Sequence, residues 1–223
     1  MVWRGEVVNV CFHGIGRPGR ELEPGEDAYW VGVDDFGAAL DLLAERPDVR
    51  LSFDDGNASD VDVALPMLVE RDLTASFFLV AGRVGQPGSV DGAGVRALVD
   101  AGMSVGSHGM AHRPWVGLSA EERRIELEEA RDRLAGWAGV PVETAACPLG
   151  RYDRKVLGGL RALGYRRVFS SDRRRSRSDQ WLQHRFSVRR DDTPASLRQD
   201  VLAPPSPIER GRDALKGTVK AWR

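Results

Sequence analysis

Cysteine is scarce in this chain: 223 residues contain two, Cys11 and Cys147. Two thiols cannot build a disulfide framework, and nothing points to an oxidising compartment. Long apolar runs are missing as well. The first apolar stretch ends at His13, too short for a signal peptide or a membrane span, so the expectation is a cytoplasmic protein without a transmembrane segment. Neither sign of charge is in excess. The 32 Lys+Arg and 33 Asp+Glu leave a formal net charge of -1, which argues against a general nucleic-acid binder. There is no G-x-x-x-x-G-K-[ST] phosphate loop and no repeat of fixed period. Histidine is rare too, at four residues, so where each one falls carries information.

What is present reads as one α/β body. The 42% hydrophobic content over this length can bury a self-sufficient core. Short β-rich runs alternate with helical stretches. Strands are expected at Val7–Phe12, Val49–Phe53, Thr74–Val80, Met103–Ser107, Val142–Ala146, Arg166–Ser170 and Trp181–Val188. Helices are expected at Phe36–Arg46, Val61–Glu70, Val95–Ala101, Ala120–Ala138 and Lys155–Leu163. Ser119 and Glu122 are spaced to form a capping box at the start of the fourth of these. The alternation implies a parallel sheet wrapped by helices, open or closed into a barrel. The catalytic body is expected over 1–200. A basic tail over 201–223 is marked by Pro204-Pro205-Ser206-Pro207, and the Arg173–Arg175 cluster reads as a solvated basic loop.

The reactive residue types sit just past strands. His13 follows the first, Asp54 and Asp55 the second, His108 the fourth, and Cys147-Pro148-Leu149-Gly150 the fifth. In a parallel α/β sheet the C-terminal strand ends share one face, so four distant elements would converge there. Adjacent Asp54 and Asp55 can share one environment only if the chain turns between them, and Gly56 permits a turn. His108 and His112 are four apart, one helical turn, so both can face one point. Two imidazoles and one carboxylate can hold a divalent cation with positions left open, which is the catalytic type of site. The ligand set suits Zn²⁺, with iron, cobalt and manganese as the other candidates. The second carboxylate would then serve as a base. Cys147 has no histidine beside it in sequence and reads as a small buried residue rather than a nucleophile.

At these positions the chain resembles the polysaccharide deacetylases, the NodB-homology group of carbohydrate esterase family 4. Ser52-Phe53-Asp54-Asp55-Gly56 is similar to the family's T-F-D-D-G, and Ser107 to His112 is similar to its H-x-x-x-H motif. Ala146-Cys147-Pro148-Leu149-Gly150 stands in the place of R-x-P-x-G. The resemblance, over about His13 to Asp172, implies a distorted (β/α) barrel with fewer than eight strands. It also implies a metal-dependent hydrolase that removes N-acetyl groups from an amino-sugar polysaccharide or oligosaccharide. Carried over by position, Asp54 is the general base, Asp55, His108 and His112 hold the metal, and the Leu149 amide stabilises the oxyanion.

The departures matter. The family's arginine is Ala146 here, and Arg185 or Arg151 could replace its charge beside Asp54. The catalytic acid is expected to be His13, as in members with a permuted motif order, with His184 in reserve. Pro148, Gly150, Trp115 and Arg185 are the expected substrate contacts, with Trp181 a further aromatic candidate. Two other readings keep part of this picture: a deacylase or deformylase of a lipid-linked or small amide substrate, and a carbohydrate-binding barrel that has lost catalysis.

Overall fold

The computed structural model describes residues 5–204. The chain opens with β1 (Glu6–Phe12), the short pair β2 (Gly14–Ile15) and β3 (Trp30–Val31), then α1 (Val33–Ala44) and β4 (Val49–Asp55). A helical turn and α2 (Leu65–Glu70) lead to β5 (Ala75–Leu79), and α3 (Gly92–Asp100) leads to β6 (Ser104–Ser107). A long helical stretch follows, from α4 (Ala120–Arg123) through the turns of Arg124–Glu129 into α5 (Ala130–Ala138). Next come β7 (Thr144–Ala146), α6 (Arg154–Ala162), β8 (Arg167–Ser170), β9 (Ser176–Arg177), β10 (Leu182–Ser187) and α7 (Pro194–Ser196), which continues into Leu197–Leu202.

Seven of these strands form a closed parallel barrel in the order β10-β8-β7-β6-β5-β4-β1. The seam closes between the chain's first and last parallel strands, with Asn9 opposite Arg185 and Cys11 opposite Ser187. β9 adds antiparallel to the start of β1, at the end of the barrel away from the C-terminal strand ends. The barrel is the one the family resemblance implied, and each strand expected from the sequence is present, with ends shifted by a residue or two. β2, β3 and β9 are additions of two residues each, too short to leave a periodic signal.

Alternation along the strands sorts side chains between the barrel interior and the helical shell. Val8, Val10, Phe12, Leu51, Phe53, Phe77 and Leu79 point outward under the helices, where Phe53 stacks on Phe77 at 4.7 Å between ring centroids. Each buried phenylalanine contributes about 1.5–3 kcal/mol by removing apolar area from water. A second cluster, around Trp115, Leu127, Tyr152, Leu160, Tyr165 and Val168, packs the helices of the other side. The Ser119 capping box is present: Ser119 N–H donates to Glu122 Oε2 at 2.9 Å, and Glu122 N–H donates to Ser119 Oγ at 3.2 Å. Leu197, Val201 and Leu202 are buried in the main core, so the folded body continues to at least 202, past the tail boundary expected at 201. Residues 205–223 of that tail lie outside the described residues.

Candidate metal-centred active site

β4 runs to Asp55, where φ reaches 80°. This left-handed turn at a non-glycine residue stores strain and folds the two neighbouring carboxylates into one pocket instead of opposite faces. Asp54 continues the inward alternation and lies over the barrel axis. The histidines reach the same point by a route the spacing did not show. Residues 108–112 form a loop rather than a helical turn, bent by left-handed Gly109 (φ 85°) and His112 (φ 51°). The Glu126 carboxylate, buried, holds that bend by accepting from Met110 N–H at 2.7 Å. Gly109 has no room for a side chain, since a Cβ there would meet Glu126 Oε2 at 2.6 Å and Trp115 Nε1 at 3.0 Å.

The donor chemistry then follows from the hydrogen bonds. His108 Nδ1–H donates to the Ala146 carbonyl at 2.8 Å, which leaves Nε2 as a bare lone pair. Burial holds the His108 pKa down at about 4, so the imidazole is neutral near pH 7. His112 Nδ1–H donates to Glu23 Oε2 at 2.8 Å, again freeing Nε2. His112 Nε2 lies 3.3 Å from Asp55 Oδ1 and His108 Nε2 lies 3.8 Å from it. Asp55 Oδ1 is buried without a hydrogen-bond partner. Donors on a four-coordinate ion with bonds of about 2.0–2.2 Å stand about 3.3–3.6 Å apart. One separation here falls in that range and the other lies just beyond it. All three donor atoms lie within 4.8 Å of one another, close enough for small side-chain shifts to bring them onto one divalent cation. An orphaned buried carboxylate oxygen facing two imidazole lone pairs has no comparable apolar explanation.

Asp54 is engaged differently. Arg185, fully buried, donates from Nη1 and Nη2 to the two Asp54 oxygens at 2.6 Å each, and from Nη1 to Ser52 Oγ at 3.2 Å. Its guanidinium lies over Phe78 and Phe169, the two rings that pack against Ala146. Burial alone would raise the Asp54 pKa. The Arg185 charge, with His108 behind it, outweighs that and holds the carboxyl well below the usual carboxylate range. Arg185, not Arg151, thus supplies the charge absent at position 146. The expectation that Arg185 touches substrate is corrected: with no exposed surface and both ends of its fork on Asp54, it cannot.

The other sequence candidates divide. His13 lines the pocket, its ring 4.9 Å from that of Tyr29 and its Nδ1 buried without a partner. Leu149 lines it too, in a left-handed conformation (φ 54°, ψ 17°), with Arg151 beside it. Pro148 and Gly150 are buried and shape that turn without lining the cleft. Trp115 is 1% exposed and sits in the second core cluster, so it offers no surface to a sugar. Trp181 lies before β10, towards the far end of the barrel, with Nε1–H donating to the Tyr165 carbonyl at 2.7 Å. His184 projects away from the interior occupied by its neighbour Arg185. Its Nε2 meets Arg174 at 2.7 Å and its Nδ1 meets Ser170 Oγ at 2.8 Å, so neither nitrogen opens to the pocket. The basic loop is turned to structural use: Arg173 bonds the Ser187 carbonyl, Arg174 bonds His184, and Arg175 bonds the Leu202 carbonyl.

The cleft encloses about 340 Å³ and bottoms on Asp54, Asp55, His108 and His112. Glu23, Glu26, Tyr29, Ser171 and Ser187 are among the residues of its walls. The first three come from the 16–29 segment, which no pattern of residue types placed at the site. The acidic run Glu21-Leu22-Glu23-Pro24-Gly25-Glu26 has no strand or helix period, and nothing in it distinguishes a solvated loop from one folded over a site.

The comparisons bear on the family and the fold. The family model for polysaccharide deacetylase matches residues 44–168. A protein of Bacillus subtilis (strain 168) bearing the name polysaccharide deacetylase YxkH is 21% identical over 141 residues, 63% of this chain and 50% of that one. This chain therefore matches about half the length of that curated relative. Among solved structures, the deacetylase PplD of Streptococcus pyogenes, in complex with acetate, superposes with a TM-score of 0.75 at 20% identity, covering 89% of this chain and 99% of that one. IcaB from Ammonifex degensii gives a TM-score of 0.70 at 22% identity, over 89% and 96%. At these identities the structural likeness establishes the barrel, and the family model covers more than half of the sequence. The chain belongs to the polysaccharide deacetylase family.

Proposed function

We propose that this protein is a metal-dependent N-deacetylase acting on an N-acetylated amino sugar within a polysaccharide or oligosaccharide. The observation that carries the reading is the pairing of an unsatisfied Asp55 oxygen and two bare imidazole nitrogens with a second, fully ionised carboxylate beside them. Asp55, His108 and His112 would hold the ion, with zinc the best match to the donor set. When bound, a divalent ion supplies Lewis acidity and brings the pKa of water down towards about 7. That chemistry suits Asp54, because a carboxylate whose proton affinity Arg185 has lowered can take a proton only from an unusually acidic donor.

In this reading Asp54 accepts the proton of the attacking water, and Arg185 keeps it ionised and aimed. The backbone amide of Leu149, at the pocket wall, donates to the developing oxyanion; losing one such donor costs on the order of 100-fold in rate. His13 delivers a proton to the departing amine, with Tyr29 packed against its ring. Acetate and a free amino sugar leave. A barrel that binds carbohydrate without catalysis had its main ground in the missing arginine at 146, and Arg185 removes that ground.

The test is release of acetate and of free amine from N-acetylglucosamine oligosaccharides by zinc-loaded protein. Equal amounts of both products from wild type, and loss of both in Asp54→Asn, are expected. Wild-type protein carrying one zinc and releasing neither product would refute the reading, and formate release from N-formyl substrates would move it to the deformylase class.

A further inference from the structure

The 16–29 segment does more than wall the cleft. Glu23 is shared between two partners: Oε2 accepts from His112 Nδ1–H at 2.8 Å, and Oε1 pairs with the Arg83 guanidinium. Arg83 in turn places Nη1 3.9 Å from Asp55 Oδ1. The loop that presents Glu23 is itself locked. Glu23 N–H donates to Glu26 Oε2 at 2.9 Å, Glu26 is paired with Arg20, and Arg20 Nη2 donates to Asn57 Oδ1 at 2.9 Å. Asn57 follows the turn that carries Asp54 and Asp55. One segment therefore clamps both loops that bring the cation donors together, and it does so at an imidazole carried on a left-handed backbone (φ 51°).

We propose that Glu23 is a positioning residue of the metal centre: its carboxylate sets the tautomer and aim of His112. An imidazole with both nitrogens unbonded can carry its proton on either, and only the form protonated at Nδ1 offers Nε2 as a lone pair next to Asp55. The Ala146 carbonyl performs that selection for His108, and Glu23 is the matching acceptor for His112. Glu23 does not touch substrate in this role, and Arg83 holds its other oxygen so that Oε2 stays aimed at His112. The inference rests on the assignment of His112 as a ligand.

The test uses the full chain with Glu23→Ala and Glu23→Gln. Zinc affinity is read by competition with a chromogenic chelator. The His112 tautomer is read in metal-free protein from its ring ¹⁵N shifts, above the imidazole titration range. Glu23→Ala should weaken zinc binding about 10–100-fold and move the His112 proton away from Nδ1. Glu23→Gln, whose amide oxygen still accepts from Nδ1–H, should stay within a few-fold of wild type. Wild-type zinc affinity or an unchanged tautomer in Glu23→Ala would overturn the proposal. So would Glu23→Gln as weak as Glu23→Ala with an intact fold, since the carboxylate itself would then be the ligand. Wild-type protein that binds no zinc, yet shows the tautomer change in Glu23→Ala, would refute the metal reading and leave the positioning role of Glu23 intact.

Discussion

Replacing Arg185 by Met removes a guanidinium from the barrel interior and leaves Asp54 with its charge and no counter-ion. Both groups are buried, and their two hydrogen bonds of 2.6 Å are the best-formed ion pair of the site. Breaking such a pair from one side costs about 3–5 kcal/mol, since the remaining charge stays buried and unpaired. At about 2–4 °C per kcal/mol for a chain of this size, the melting temperature should fall by about 6–20 °C. The pH dependence is the sharper signature. In wild type the Asp54 pKa is depressed, so the pair contributes stability above the unfolded carboxylate pKa near 4 and loses it as pH falls below. In Arg185→Met, burial dominates and the folded pKa rises above the unfolded one. The sign then reverses: the variant is least penalised below pH 4 and loses stability as pH rises towards its new pKa. Urea unfolding of metal-free protein across pH 3–8 measures both slopes. Arg185→Met/Asp54→Asn, with no buried charge, should recover most of the loss. A variant within about 1 kcal/mol of wild type and with the same pH slope would refute the argument.

Further outcomes follow from the same geometry. His108 has its folded pKa lowered to about 4, so between pH 6.5 and 4 the unfolded chain binds the extra proton. Metal-free protein should therefore lose stability on acidification through that window, by about 3 kcal/mol in all, and His108→Gln should flatten the loss. Gly109→Ala places a Cβ against Glu126 and Trp115 at φ 85°, and a cost of about 1–3 kcal/mol in urea unfolding is expected, together with weaker zinc binding. His13→Ala should keep a full equivalent of zinc and lose turnover by about 100-fold or more, read as amine release; an unchanged rate would end the acid role of His13.

The alternation of strands and helices was legible because hydrophobic period is a local property, and so were Asp54, Asp55, His108 and His112, which sit in short motifs of fixed spacing. What was hidden is what depends on closure. Arg185 reaches Asp54 because β10 pairs with β1, setting Arg185 opposite Asn9 from the other end of the sequence, and no local pattern announces that seam. Ala146 alone signalled that a charge had to come from elsewhere; it named two candidates and could not choose between them. The loop form of 108–112 does not show in the spacing, because four residues separate the histidines in a helical turn and in this loop alike. The deciding information lay in a buried glutamate, Glu126, on a different element. Glu23 carried no signal at all, since a carboxylate in an acidic loop looks alike whether it faces water or an imidazole.

Zinc stoichiometry in four proteins bears most directly on the idea that three side chains grip one ion while a fourth stands beside it as base. Wild type and Asp54→Asn should each retain one equivalent after dialysis, whereas Asp55→Asn and His108→Ala should retain none. Zinc kept in Asp55→Asn but lost in Asp54→Asn would reverse the two carboxylates, and zinc kept in all four would contradict the centre itself.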